Sequence, residues 1–287
     1  LVLSLFAIDA KYNFPCSLFA DGAGESLQYL FLAGCEFHPR AKFGCFKSLT
    51  RLLLCMVHIT DRNLHVQLSL GNTLQIKKLY RHCKDAAYYA RTELPSRMPN
   101  LQSLTVVSKT ETVNAPMLPS KFLHLKFLVI ALNGMAYDFL SLVSFFDASP
   151  SLETFTLDVL PGLREPVSIF DDPSALRTMP EHHHHDKLKQ VGITSFCSAK
   201  TLVELTCHIL ESTKPLERLT LDTTKGWPWP RCSEEPGQCY LMCRAALVEA
   251  QRAILVVQTY IKPKVSSTVE LNVLEPCSRC HSNAVEF

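Results

Sequence analysis

The phrase LERLTL at Leu216–Leu221 decides how this chain is read, because six variants of it recur upstream. They are LQYLFL (Leu27–Leu32), LTRLLL (Leu49–Leu54), LQSLTV (Leu101–Val106), LKFLVI (Leu125–Ile130), LETFTL (Leu152–Leu157) and LKQVGI (Leu188–Ile193). Their first positions are separated by 22, 52, 24, 27, 36 and 28 residues. The interval of 52 is twice 26, which predicts one degenerate copy near Leu74–Tyr80. A single copy says little, since any leucine-rich helix can supply one. Copies at a near-constant period of about 20–29 residues are the mark of leucine-rich repeats.

The spacing has a physical reading. The fourth and sixth positions lie two apart and so share one face of a strand, while the third and fifth share the other. One strand with its return segment cannot bury its apolar side, but stacked copies bury one another's. The expected fold is therefore α/β: a leucine-rich-repeat solenoid with parallel strands on the concave face and helices or loops on the convex face. Turn-forming or small polar residues precede the phrases, as at Glu25-Ser26, Lys47-Ser48, Pro99-Asn100, Pro150-Ser151 and Lys214-Pro215. Helical periodicity is predicted for Tyr137–Ser149 and Ser198–Ser212. The second has Leu202, Leu205, Ile209 and Leu210 on one side and Ser198 as its N-cap. The opening LVLSLFAI (Leu1–Ile8) reads as a buried strand and not a signal segment, because no basic residues precede it and Asp9 and Lys11 follow at once.

Residues 1–224 are thus read as the repeat array. It is degenerate or contracted around 60–100 and interrupted at 161–187 by an insertion expected to project as a loop. Residues 225–238, with Trp227 and Trp229 alternating with prolines, form a linker. Residues 239–287 form a C-terminal cap, with one long amphipathic helix over Cys239–Ile261 and a strand within Ser267–Leu274.

Composition narrows the function classes. Apolar residues make up 47% of the 287 and charged residues 20%, a balance that argues against global disorder. A formal net charge of +2 provides no global attraction to nucleic acid or an acidic membrane surface. No run approaches the roughly 18–20 apolar residues that span a bilayer. Several of the twelve cysteines sit in or beside apolar runs (Cys35, Cys45, Cys55, Cys197, Cys207), as reduced thiols of a cytoplasmic or nuclear protein would. GxSxG, HExxH and Walker patterns are missing, and neither enzymatic chemistry nor a cofactor is expected.

The stretches MPNLQSLTVVS, PSKFLHLKFLVIAL, SFFDASPSLETFTLDV, KLKQVGITSFCSAKTLVELTCHILE, LERLTLDTT and STVELNVLEPCSRCH carry a family resemblance. They resemble the C-terminal portion of plant F-box/leucine-rich-repeat proteins of the grass type, over nearly all of Leu1–His281. The resemblance implies the substrate-recognition region of a cullin–RING (SCF-type) ubiquitin ligase, in which an N-terminal F-box binds a Skp-type adaptor. No F-box precedes Leu1 in this sequence, so the adaptor is an expected partner only with an F-box upstream. The region Thr60–Val66 is contracted relative to the family. The alternative is an F-box-less repeat scaffold with no ubiquitin role.

Candidate sites follow from position. The third and fifth residues of each phrase should face away from the core on the concave side. That row reads Tyr29, Phe31; Arg51, Leu53; Ser103, Thr105; Phe127, Val129; Thr154, Thr156; Gln190, Gly192; Arg218, Thr220. Its first four pairs are rich in apolar residues, the signature of a protein-binding patch on an otherwise wet face. Cys277, Cys280 and His281 are weak metal candidates. Cys232, Cys239 and Cys243 are near enough in sequence to complete a set, yet the spacing matches no zinc pattern. The run His182–His185, with Glu181 and Asp186, reads as solvated loop histidines. Trp227 and Trp229 read as packing residues at the end of the array.

Overall fold

A computed structural model describes residues 1–4, 13, 15, 25–35, 48–55, 78–82, 86–92, 94–98, 100–108, 111, 121–133, 137–160, 167–172, 174–177, 184–224, 242 and 244–276. The chain packs as two compact units. One comprises Leu1–Leu128 with Ala148–Ser151, and the other Val129–Asp147 with Leu152–Phe287.

The first unit holds β1 (Val2–Ser4), β2 (Tyr29–Ala33), β3 (Arg51–Cys55), β4 (Lys78–His82) and β5 (Ser103–Ser108). All pair in parallel and in sequence order. Strand β6 (Phe127–Asn133) begins in this unit and ends in the other. The second unit holds β7 (Thr154–Leu160), β8 (Gln190–Thr194), β9 (Arg218–Asp222) and β10 (Glu270–Leu274), again parallel and in order.

The phrase positions match burial. Leu101, Leu104 and Val106 are fully buried, as are the first, fourth and sixth residues of the phrases at Leu125, Leu152, Leu188 and Leu216. A shared hydrogen bond marks the copies as equivalent. The carbonyl of the second residue accepts from the second and third residues of the next copy: Gln28 from Thr50 and Arg51, Gln102 from Lys126 and Phe127, Glu153 from Lys189 and Gln190, Lys189 from Glu217 and Arg218. The exit from the strand recurs too. Gly34 (φ 65°) and Ser195 (φ 50°) occupy the same place, seven residues after Leu27 and Leu188, and both turn through the left-handed region.

Return segments pack on the buried side. Tyr137–Ser149 is a 3-10 turn (Phe139–Leu142) running into a short helix (Val143–Ala148), whose Phe146 ring meets Phe155 of β7 edge-on at 4.8 Å. In the first unit, α1 (Ala86–Thr92) is followed by the short α2 (Leu94–Arg97). The N-terminus of α1 is capped from far away: Glu111 accepts from the backbone N–H groups of Ala87 (2.7 Å) and Tyr88 (3.1 Å). With Val143–Ala148 as α3, α4 spans Lys200–Ser212 and buries Leu202, Val203, Leu205 and Ile209. Leu210, read as part of that face, is only half-buried.

Five expectations change. Ser198 is not the N-cap of α4; Ala199 holds that position without a side-chain bond, because the Ser198 hydroxyl is used 2.8 Å from Ser168 Oγ. The degenerate copy contributes the strand Lys78–His82, in which Leu79 takes the fourth position, paired with Leu52 and Leu104, and Arg81 the sixth, paired with Leu54 and Val106; Leu74–Lys77 lie outside the described residues. The opening strand is Val2–Ser4 alone among the described residues, and Leu1 and Val2 are exposed rather than buried. The C-terminal helix, α5, covers Arg244–Val256 and then widens into a π turn (Val257–Ile261) and a 3-10 turn (Lys262–Lys264). Pro263, which has no N–H and whose ring opposes the carbonyl four residues back, accounts for the widening. Lastly, the described parts of the insertion do not project: Ser168 bridges to Ala199, Ile169 N–H donates to the Ser198 carbonyl and Lys200 N–H to the Val167 carbonyl.

Cys35 and Cys207 are buried and Cys197 is half-buried; none of the three forms a disulfide. Burial pushes the Cys207 thiol up to about 11. At pH 8 its thiolate fraction is then about one in a thousand, and the thiolate is the reactive form. Iodoacetamide at pH 8 should therefore leave Cys207 unlabelled in the folded chain and label it in urea, as read by peptide mass spectrometry. Rapid native labelling would contradict its buried position.

Candidate protein-binding face

Every described residue of the predicted row lies on the side of its strand away from the core, and none is buried. In the first unit Tyr29, Phe31, Leu53, Ser103 and Thr105 are half-buried and Arg51 is exposed. Phe127, at the third phrase position, is 47% exposed. In the second unit Val129, Thr154, Thr156, Gly192 and Thr220 are half-buried, while Gln190 and Arg218 are exposed.

Strand register turns these pairs into lanes that cross the strands. In the first unit one lane runs Tyr29, Arg51, Lys78, Ser103. The other runs Val2, Phe31, Leu53, Tyr80, Thr105. In the second unit the lanes are Thr154, Gln190, Arg218, Glu270 and Thr156, Gly192, Thr220, Asn272. Val2, Lys78, Tyr80, Glu270 and Asn272 were missed by motif reading. β4 lacks an apolar sixth position, where Arg81 stands, and β10 has Thr268 where the first leucine would be. Alternation in VELNV was the available signal for β10.

The lanes differ in chemistry. The Arg51 guanidinium sits 5.2 Å from the Tyr29 ring centroid, a cation–π contact that orients it. In the second unit Arg218 Nε donates to Glu270 Oε2 at 2.9 Å, and the carboxyl of Glu270 is lowered by Asn272 first and then Arg218. Thr194 Oγ1 donates to Asp158 Oδ1 at 2.5 Å. A Cβ at Gly192 would stand 3.9 Å from Thr156 Oγ1, so glycine leaves a small notch there rather than meeting a steric demand.

A second feature lies beside α4 in the second unit, where the insertion, Tyr137–Asp138 and α4 line a cavity of about 450 Å³. Arg177 holds Asp138 with a two-pronged fork (2.9 and 2.8 Å) and Glu204 through both its backbone N–H and Nε, each at 2.8 Å. Asp138, then Glu204, raise the guanidinium of Arg177 above its ordinary range. Lys200 Nζ donates to Asp172 Oδ2 (2.8 Å) and to Ser174, which holds the Asp172 carboxyl far below the ordinary carboxylate range. A lowered carboxylate contributes stability above its unfolded value and loses it only as pH falls through the folded one. The Lys200 contact thus persists in mild acid. These five charges are partnered within the cluster, which makes it an anchor for the insertion. Nothing in the motif pattern pointed to it, because its members are 27 to 39 residues apart.

His184 is exposed, in keeping with a solvated loop, but His185 is half-buried with its ring edge-on to Phe146 at 5.4 Å. His182, His183, Trp227, Trp229, Cys232, Cys239, Cys243, Cys277, Cys280 and His281 lie outside the described residues. Among the described residues, no cluster of three or more His, Cys, Asp or Glu could hold a metal, and no helix is long and apolar enough to cross a membrane.

A family model described as At1g61320/AtMIF1, LRR domain, matches the chain in two stretches, residues 1–66 and 61–278. The stretches meet at 61–66, within the segment read as contracted. No curated protein matches the chain.

Proposed function

The chain belongs to the At1g61320/AtMIF1 leucine-rich-repeat domain family; from that membership we propose a protein-binding repeat module, and from the grass-type resemblance one that acts as the substrate-recognition region of an F-box subunit of a cullin–RING ubiquitin ligase. Such a subunit does no bond chemistry. It raises the effective concentration of a target lysine at the ubiquitin-charged enzyme. Its site of action is the cytoplasm or nucleus. The repeated register and burial support a solenoid with the sheet on its concave side, closed at its end by α5 and β10. The grass-type F-box resemblance supports the ligase role.

The observation that carries the binding reading is apolar surface on the open side of the strands. Phe127 is 47% exposed and Val2 62%, with Phe31 and Leu53 half-buried nearby in motif position, although the fourth and sixth residues already fill the core. The double variant Phe31→Ser/Phe127→Ser should keep its far-ultraviolet spectrum and lose at least tenfold in partner affinity, the cost of one hot-spot residue. Quantitative capture of cross-linked partners from its own cells reads this, and undiminished capture would refute the face. The ligase role is tested by mixing the full-length gene product with a Skp-type adaptor. A stable complex is expected; failure to form one leaves a repeat scaffold without a ubiquitin role.

A further inference from the structure

We propose that the outer edge of β10 pairs antiparallel with β10 of a second copy of this chain, joining the two copies about a two-fold axis at Asn272. This goes beyond the partner-binding face described above and uses a different surface. Among the described residues β10 ends the sheet, with β9 on its inner side. Glu270 N–H donates to the Glu217 carbonyl and the Leu274 carbonyl accepts from Thr223 N–H, so residues 270, 272 and 274 turn their backbone groups toward β9. Alternation then turns those of Leu271 and Val273 outward. The core side is open at the same place. Leu219 and Leu221 of β9 are fully buried, whereas their register partners Leu271 and Val273 are only half-buried. An edge with apolar side chains and outward backbone donors and acceptors is a template for another strand.

The register selects a second copy as the occupant. With Asn272 opposite Asn272, Leu271 exchanges both backbone bonds with Val273 of the second copy, and Val273 does so with Leu271. Both pairs lie on the core side and set aliphatic against aliphatic. Glu270, already held by Arg218, falls opposite Leu274. The two Glu270 residues then stand roughly 13 Å apart along the strands, beyond the screening length of about 8–10 Å. Shifted registers fail. Centred on Leu271, Val273 meets Val269, whose N–H is spent on the Ser266 carbonyl. Centred on Val273, Leu271 meets Glu275 and a carboxylate enters the apolar side. One strand thus holds both halves of the pairing, as a two-fold interface requires.

Sedimentation of the full chain over a concentration series should show a monomer–dimer equilibrium. Val273→Pro removes an outward N–H without touching the ladder to β9. It should weaken the dimer at least tenfold and leave the circular dichroism spectrum unchanged. A photoreactive residue placed at Asn272, in a mixture of light and heavy-isotope-labelled chains, reports location. It should join a light chain to residues 270–274 of a heavy one, as read by mass spectrometry. This arm decides the matter if Val273→Pro does not fold. A chain that stays monomeric throughout the series overturns the proposal, as does a dimer that Val273→Pro leaves intact. Cross-links confined to a single copy would show the edge covered by the chain itself, and would overturn it too.

Discussion

Leu219→Ala should lower the unfolding free energy by about 2–5 kcal/mol, the range for removing a buried leucine from a site that cannot collapse. Leu219 is fully buried in β9, with Val191 of β8 and Leu271 of β10 beside it in register. The void would open to both neighbours. In a stack where each copy buries the next, the loss falls on two interfaces at once. Urea unfolding of the full chain followed by circular dichroism measures it. Arg218→Ala, one residue away on the open face and half-exposed, should cost no more than about 1 kcal/mol. Equal losses at both positions would mean that the phrase does not separate a core side from an open side.

Glu204→Ala should be the most damaging change within the ion cluster beside α4. The Glu204 side chain is fully buried on α4, and both its oxygens accept from Arg177. Removal leaves a backbone N–H and a guanidinium N–H without their acceptor, at about 1–3 kcal/mol for the orphaned donor. Glu204→Gln keeps one acceptor oxygen and should lose less. The damage should be local as well. Amide exchange at residues 167–177 is expected to quicken more than exchange in β8 and β9. Uniform quickening would show that the ion cluster supports the whole unit rather than the insertion.

Seven copies of one phrase were legible because their chemistry is local. A leucine at the fourth position tells of its own burial wherever the neighbouring copy lies, and the burial of Leu104, Leu128, Leu219 and their equivalents bears this out. The copies that were blurred or missed had lost an apolar residue that others kept. Arg81 stands at the sixth position of β4 and Thr268 at the first of β10, and only pairing with intact neighbours reveals their register. Their backbones continue the parallel ladder in register with the intact copies beside them.

Period, strand direction and the division into inward and outward positions were set by the chain's own spacing of apolar residues, since a strand alternates every two residues whatever it packs against. The insertion's place was not. Arg177 reaches Glu204 and Asp138 across 27 and 39 residues. Glu111 caps a helix 24 residues before it. Ser198 gave its hydroxyl to Ser168 instead of to its own helix. Hydrogen bonds and ion pairs are settled by which groups three-dimensional packing brings within about 3 Å. No periodicity in the sequence records that distance.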